Sequence, residues 1–348
     1  MSFATAAEPA GATGPLATGP LLVLGGTTAS GKSALALALA ERLGGVVVNA
    51  DSQQLFADLP ILTARPTAAE EARVPHRLYG LLGPRAQPSL GRWLSLLLPV
   101  LAEHDRDARP AILVGGTGLY LHGLLHGLSP VPEVPPPLRA RLLEETREVP
   151  TAVLHARLAA RDPVTAAKLR PSDRQRILRA LEVLEATGRP LALWQAEPRR
   201  PLVRPASLLA LALLPPAEVT SPRIATRLAR QLAAGALEEV EALAAREAEL
   251  HDAARAGRTD LFPILKVHGC RELLAVLDGR SSLQAAEAEI ARQVRAYAKR
   301  QRTWFRHQLP ELEALPVTGE AEGLADELAR RFAPRLSAGA EGPAQRSA

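Results

Sequence analysis

Leu21–Gln54 reads LLVLGGTTASGKSALALALAERLGGVVVNADSQQ, and this stretch decides the fold. Residues 21–24 are a short apolar run of the kind that is buried on both faces of a parallel sheet. Residues 32–43 pattern as a helix, Gly44 and Gly45 stop it, and a second strand begins at Val46–Val48. Between the first strand and the helix stands Gly26-Thr27-Thr28-Ala29-Ser30-Gly31-Lys32-Ser33, a phosphate-loop pattern in its proper strand-to-helix context. Glycines let such a loop curl its N–H groups inward, and the helix N-terminus favours an anion. Lys32 adds a cation, and Ser33 is placed to ligate Mg2+. A plain glycine-rich turn is the structural alternative, but Lys32 is one of only four lysines in the chain. The loop by itself does not separate a kinase, an ATPase and a transferase that holds diphosphate as a leaving group.

Working outward, the apolar runs Ala111–Val114 and Leu208–Leu214 continue the strand pattern, with helical patterns between them. The expected architecture is α/β: a P-loop NTPase-like parallel sheet flanked by helices, with a small helical domain inserted. The core takes residues 20–122 and 201–335. The insertion takes 123–200, opening on the proline-rich run Pro130–Pro137. Residues 1–19 and 336–348, small and polar, read as a disordered lead and tail. Within the insertion, Ser172 and Gln175 suggest a capping box for a helix ending at Gly188. Beyond the last core strand, Ser221 and Pro222 suggest the cap and first residue of a helix reaching Ala234. A longer helix runs from about Ser282 to His307.

The chain has 348 residues, 47% hydrophobic, which is enough for a substantial core. A net charge of +5 permits a polyanionic partner. One cysteine, Cys270, excludes an internal disulfide framework and a Cys-cluster zinc site, and suits a reducing cytoplasm. Residues 1–19 lack the pattern of a secretion signal or presequence, and no uninterrupted apolar run reaches membrane-spanning length. The expectation is a cytoplasmic monomer with no membrane association.

Chemistry-bearing residues gather at strand ends. The second strand delivers Asn49-Ala50-Asp51-Ser52-Gln53-Gln54 to the carboxyl edge, where ligands of such sheets bind. Asp51 there is a candidate general base; a magnesium-shell role and a helix-cap role are the alternatives. The third strand ends in Gly115-Gly116-Thr117-Gly118, without the aspartate that holds magnesium in ATP-hydrolysing proteins, which argues against a motor ATPase. Arg292, Arg295, Lys299, Arg302 and Arg306 recur at spacings of three and four and form one helical stripe, opposite Ile290, Val294, Tyr297 and Trp304. Nucleic-acid contact is the reading favoured over a solvated face. Arg223, Arg227 and Arg230 make a second stripe. Cys270 reads as an ordinary small core side chain, and His76 and His268 receive no role.

Together these features resemble bacterial tRNA dimethylallyltransferase, also called tRNA isopentenyltransferase, from Leu21 to about His307. The resemblance rests on GTTASGKS at 26–33, NADSQQLF at 49–56, TARP at 63–66, VPHRLYG at 74–80 and LVGGTGLYLHGLLHGLSP at 113–130. It continues with DRQRILRALEVLEATGRPL at 173–191, RIATRLARQLAAGALEEVEAL at 223–243 and YAKRQRTWFRH at 297–307. It implies transfer of a dimethylallyl group from dimethylallyl diphosphate to N6 of the adenine 3′ of the anticodon, tRNA position 37, with release of diphosphate. The base would be flipped out of its stack to reach the pocket.

The resemblance further implies that Asp51 accepts the amine proton and that Thr28 sits beside the transferred group. Lys32, Ser33, Arg227 and Arg223 would neutralise the diphosphate with Mg2+. The tRNA anticodon stem-loop would be met by Asp51, Ser52, Gln53, Gln54, Thr117, Arg139, Gln175, Arg176, Ile177, Leu178, Arg179, Lys266 and Arg271. The chain departs from the family at 57–62, where a Tyr-x-Gly-x-Asp-x-Gly pattern is common, and at Cys270, where tyrosine is common. An adenylate isopentenyltransferase acting on free nucleotide, a small-molecule kinase and a noncatalytic RNA binder are the competing readings.

Overall fold

The computed structural model describes residues 19–107, 109–199, 201–203, 208–315 and 321–340. The chain divides into two compact units, one of residues 1–125 with 202–348 and one of residues 126–201.

The larger unit is built on six strands: β1 (Leu21–Gly26), β2 (Val46–Asn49), β3 (His76–Arg77), β4 (Ala111–Gly115), β5 (Leu208–Leu213) and β6 (Glu313–Leu315). They form one parallel sheet in the order β3-β2-β4-β1-β5-β6, with Val23 paired to Leu113 on one side and Ala210 on the other. β1 therefore lies inside the sheet with all six residues buried, as its continuous apolar run requires. Alternate side chains enter different cores. Leu21 and Val23 join the cluster of one face, and Leu22 and Leu24 that of the other.

Helix α1 (Lys32–Leu43) covers the second face and ends on Gly44 in the left-handed conformation. The short α2 (Ala68–Arg73) has a full capping box between Thr67 and Glu70. The first face is covered by α3 (Leu90–Arg106) and α4 (Gly118–His126). The smaller unit holds α5 (Pro136–Thr146), α6 (Thr151–Arg161), α7 (Pro163–Ala166), α8 (Arg174–Thr187) and α9 (Leu191–Gln195), around a core of its own that includes Leu154, Leu158, Ile177 and Val183. After it come α10 (Ala217–Ala233), α11 (Ala236–Arg246), α12 (Leu250–Arg255), α13 (Cys270–Leu277), α14 (Leu283–Gln308) and α15 (Ala321–Ala340).

Four expectations need correction. Helix α8 is capped by Asp173, whose carboxylate accepts from the Arg176 N–H, and not by Ser172. Helix α10 begins at Ala217, so Ser221 and Pro222 lie inside it; the proline forgoes one hydrogen bond in a helix held by Ile224 and Leu228 in the core. The sequence reads as a tail from residue 336, yet α15 continues to Ala340, and Leu336 packs against the core that includes α1. Residues 1–18 and 341–348 lie outside the described residues, whereas the Gly19 N–H donates to Asp105. The edge strands β3 and β6 have two and three residues and carried no apolar run to announce them.

Candidate active site

The phosphate loop leaves β1 at Gly26, whose φ of 147° is open to glycine and whose added Cβ would strike the Leu213 carbonyl on β5. Gly31, at φ 93°, turns the chain into α1 with free space around it, so conformation and not crowding requires glycine there. Between them Ala29 stands at φ 59°, a strained setting for a residue with a Cβ. The loop is pinned to β5 by the Thr27 N–H donating to Leu213 O at 3.2 Å. Thr27 and Ser30 are buried, and their hydroxyls have no hydrogen-bond partner among the described residues. Orphaned donors in a curled loop suit an anion that brings its own acceptor oxygens.

A cavity of about 280 Å³ opens over this loop. Its polar side is formed by Thr28, Lys32, Ser33, Asp51, Gln53 and Arg227. Aliphatic side chains line it too, from Leu62, Ile224, Leu228, Ile290 and Val294. Lys32 Nζ donates to Thr27 O at 3.1 Å, and desolvation pushes its pKa down to about 8, opposed by Asp51 and assisted by Arg227. Arg227 projects from α10 and donates from Nη2 to Thr28 Oγ1 at 2.7 Å; burial depresses its pKa while Asp51 raises it.

Asp51 is held from its own strand. Asn49, fully buried at the end of β2, accepts the Asp51 N–H at 2.7 Å and donates to the carbonyls of Asp51 and Leu78. The Trp93 indole of α3 donates to Asn49 O at 2.8 Å. Asp51 Oδ1 accepts the Gln53 N–H at 2.9 Å. The Gly115-Gly116 pair lets β4 pass close by: a Cβ on Gly115 would meet the Ala50 carbonyl, and one on Gly116 the Gln301 amide.

Other expected site residues divide. Gln54 lines the cavity and donates to the carbonyls of Thr63 and Ala64. Ser52 and Thr117 bond to each other beside it. Segment 57–62, where the chain departs from the family, is nonetheless held: Glu239 accepts the N–H groups of Ile61 and Leu62, and Gln231 donates to their carbonyls. Arg223 is exposed on α10 and does not line the cavity. Lys266 and Arg271 are exposed, with Lys266 Nζ 3.3 Å from Gln87 Oε1.

In the smaller unit Gln175 and Arg176 are exposed, but Ile177 is wholly buried and Leu178 packs on the same core. The Ile177 side chain is therefore structural, which corrects its expected tRNA contact, while Leu178 is half-buried. Arg139 and Arg179 lie 3.4 and 3.5 Å from the buried carboxylate of Glu182.

On α14 the core-facing side is Ile290, Val294, Ala298, Gln301 and Phe305, with Trp304 and Tyr297 only half-buried. Arg292, Arg295, Lys299 and Arg306 are exposed as expected; Arg292 pairs with Glu289, and the half-buried Arg302 donates to Pro215 O. Three site residues, His268, Tyr297 and Gln301, carried no earlier site role. His268 lines the cavity, its backbone N–H reaching Gln53 Oε1 at 3.3 Å and its ring 4.8 Å from that of Tyr297. Burial and Arg300 lower its pKa, with Asp51 pulling the other way. Gln301 is the third, betrayed in the sequence only as a polar residue at a core position of its helix.

A parallel sheet, a phosphate loop and a cavity over it lined by Lys32, Arg227, Asp51 and aliphatic side chains define a phosphate-loop enzyme. The family model described as IPP transferase matches residues 54–308. The tRNA dimethylallyltransferase of Azorhizobium caulinodans is 50% identical over 293 residues, covering 84% of this chain and 91% of that protein. That of Rhodospirillum centenum is also 50% identical, over 84% and 90%. The crystal structure of a tRNA isopentenylpyrophosphate transferase from Bacillus halodurans aligns with a TM-score of 0.63 at 28% identity, covering 92% of this chain and 98% of that one. A eukaryotic dimethylallyltransferase acting on tRNA shares the fold, with a TM-score of 0.77 at 24% identity over 94% and 81%. The chain belongs to the IPP transferase family.

Proposed function

We propose that this enzyme transfers the dimethylallyl group of dimethylallyl diphosphate to N6 of adenine 37 in tRNA and releases diphosphate. The observation that carries the reading is the convergence of Thr28, Lys32, Arg227 and Asp51 on one cavity that aliphatic side chains also line. The aliphatic lining takes the five-carbon group and excludes water, while the loop takes the diphosphate. As the bond from the allylic carbon to the bridging oxygen breaks, negative charge grows on diphosphate. Lys32, Arg227 and the loop N–H groups stabilise it. The new bond forms between that carbon and N6, and Asp51 accepts the N6 proton.

The loop also suits Mg2+ in its diphosphate complex. Among the described residues no group of three or more His, Cys, Asp or Glu is arranged to hold a metal, so the protein offers the Ser33 hydroxyl and the substrate phosphates supply further oxygens. The ion would neutralise charge on the leaving group. For tRNA, Ser52, Gln53, Gln54 and Thr117 would serve on the larger unit and Arg139, Gln175, Arg176 and Arg179 on the smaller. These combine amide and hydroxyl groups with phosphate-binding cations.

The test is incubation with unmodified tRNA, dimethylallyl diphosphate and Mg2+, followed by mass analysis of nucleosides. N6-isopentenyladenosine at position 37 is expected, and Asp51→Asn, which keeps the acceptor for the Gln53 N–H, should lower the single-turnover rate about a hundredfold or more. Prenylation of free adenylate with none of tRNA would overturn the reading.

A further inference from the structure

Gln301 is a neutral amide set on the core-facing side of α14, where its neighbours one turn away are Ala298 and Phe305. It is only 5% exposed. Its Oε1 accepts the Thr28 N–H at 2.8 Å, and its Nε2 donates to Gly116 O at 2.9 Å. One side chain thus ties the phosphate loop after β1 to the turn after β4. An N–H needs an acceptor and a carbonyl needs a donor, so an amide satisfies both; an ionised glutamate would satisfy the first alone, and an aliphatic side chain neither. Gly116 makes room for this arrangement, since a Cβ there would occupy the position of Nε2. Packing by itself does not call for a polar residue at this place in the core.

The consequence falls on Thr28. Loop N–H groups ordinarily turn toward a bound phosphate, but the Thr28 N–H is already committed to Gln301. What Thr28 presents to the cavity is its hydroxyl, which Arg227 holds from the other side at 2.7 Å. Two helices distant in sequence, α10 and α14, therefore fix one threonine, by side chain and by backbone. We infer that Gln301 is a positioning residue for the transfer reaction, setting the Thr28 main chain so that its hydroxyl stands in register with Arg227. This rests on the proposed dimethylallyl transfer.

Gln301→Met keeps the volume and removes both bonds. It should lower kcat about tenfold or more, leaving tRNA Kd and the KM for dimethylallyl diphosphate within about threefold, because geometry at the reacting centre is lost while binding groups remain. Gln301→Glu, which keeps the acceptor for Thr28, should lose less. In a double-mutant cycle, Thr28→Ala with Gln301→Met should be no slower than Thr28→Ala alone, because the amide acts through the threonine. A merely structural amide would instead lower thermal stability and give additive losses. A folded Gln301→Met enzyme with unchanged kcat, or additive losses in the cycle, overturns the inference; if Gln301→Met does not fold, Gln301→Glu in the same cycle decides. Wild-type protein run alongside separates the two claims: absence of any product from it defeats the transfer reading and with it the positioning, whereas product from wild type with an unchanged kcat in Gln301→Met defeats the positioning alone.

Discussion

Arg227 Nη2 meets Thr28 Oγ1 at 2.7 Å across 199 residues of sequence, so the phosphate loop is finished by a cation that arrives from another part of the chain. Arginine suits the task. Its guanidinium stays charged despite burial and has donors left over after one is spent on the threonine. Removing a preorganised donor of this kind from a developing anion typically costs a factor of about a hundred to a thousand in rate. Arg227→Ala should therefore slow single-turnover transfer by about that factor, with tRNA affinity retained. Arg227→Lys should recover only part, because an ammonium cannot reach both Thr28 and the leaving group. A rate within about threefold of wild type in Arg227→Ala would remove the residue from leaving-group stabilisation.

Lys32 gives the site a pH signature. With its pKa pushed down to about 8, the ammonium is present below that pH and is lost as pH rises through it. An organic diphosphate has shed its last proton by then, with a pKa of about 6, and Arg227 stays charged. Affinity for a non-reactive dimethylallyl diphosphate analogue should accordingly fall above pH 8, by up to about tenfold per unit, and Lys32→Ala should bind more weakly with a flat profile. Stability of the unliganded protein runs the other way. Between pH 8 and the ordinary lysine value of 10.5 the unfolded lysine holds a proton that the folded one has released, so this group adds stability as pH rises. Calorimetric titration across pH 7–10 reads the first effect, and a wild-type profile as flat as that of Lys32→Ala would refute it.

Much of this was legible because it is local. A phosphate loop, its flanking strand and helix, and the Asn49–Gln54 strand end are all set by short-range periodicity and glycine spacing. The aliphatic lining was not legible, since Leu62, Ile224, Leu228, Ile290 and Val294 come from three separate stretches of the chain and look like ordinary core in each. Gln301 was hidden for the same reason: its partners Thr28 and Gly116 lie 273 and 185 residues away. Pro222 misled because proline is common at a helix start, yet burial of Ile224 and Leu228 holds α10 together through it. Nor does the sequence show that Arg139 and Arg179, which the resemblance assigns to tRNA, both stand beside the carboxylate of Glu182.

Cys270 begins α13 with no exposed surface, and burial pushes its thiol pKa up to about 12. A thiol so protonated is inert as a nucleophile. Cys270→Ala should keep full activity per folded molecule. Cys270→Ser should also stay active but melt lower, because a hydroxyl buried without a partner costs about 1–3 kcal/mol. Native protein should resist maleimide and react once unfolded in urea. Loss of activity in a Cys270→Ala enzyme with unchanged melting temperature would give the sulfur a role that its surroundings do not support.

The two arginines of α8 should not contribute equally to tRNA binding. Arg176 has a side chain 76% exposed and lies 3.5 Å from Asp173, whose Oδ1 is already engaged in capping the helix. Arg179 faces Glu182, which is only 4% exposed and also faces Arg139 from α5, so two cations share one buried carboxylate. A phosphate approaching this pair meets one net positive charge, whereas Arg176 offers nearly its whole charge. Each phosphate neutralised releases counterions and steepens the salt dependence of binding by roughly 0.7–0.9 per charge. Arg176→Ala should then flatten the slope by close to one such increment and Arg179→Ala by less, with the double variant weakened further and its transfer rate at saturating tRNA preserved. Fluorescence anisotropy with tRNA from about 50 to 200 mM salt measures this. If the double variant kept wild-type affinity and slope, the smaller unit would lose its proposed part in gripping tRNA, and prenylation of free nucleotide would become the reaction to test first.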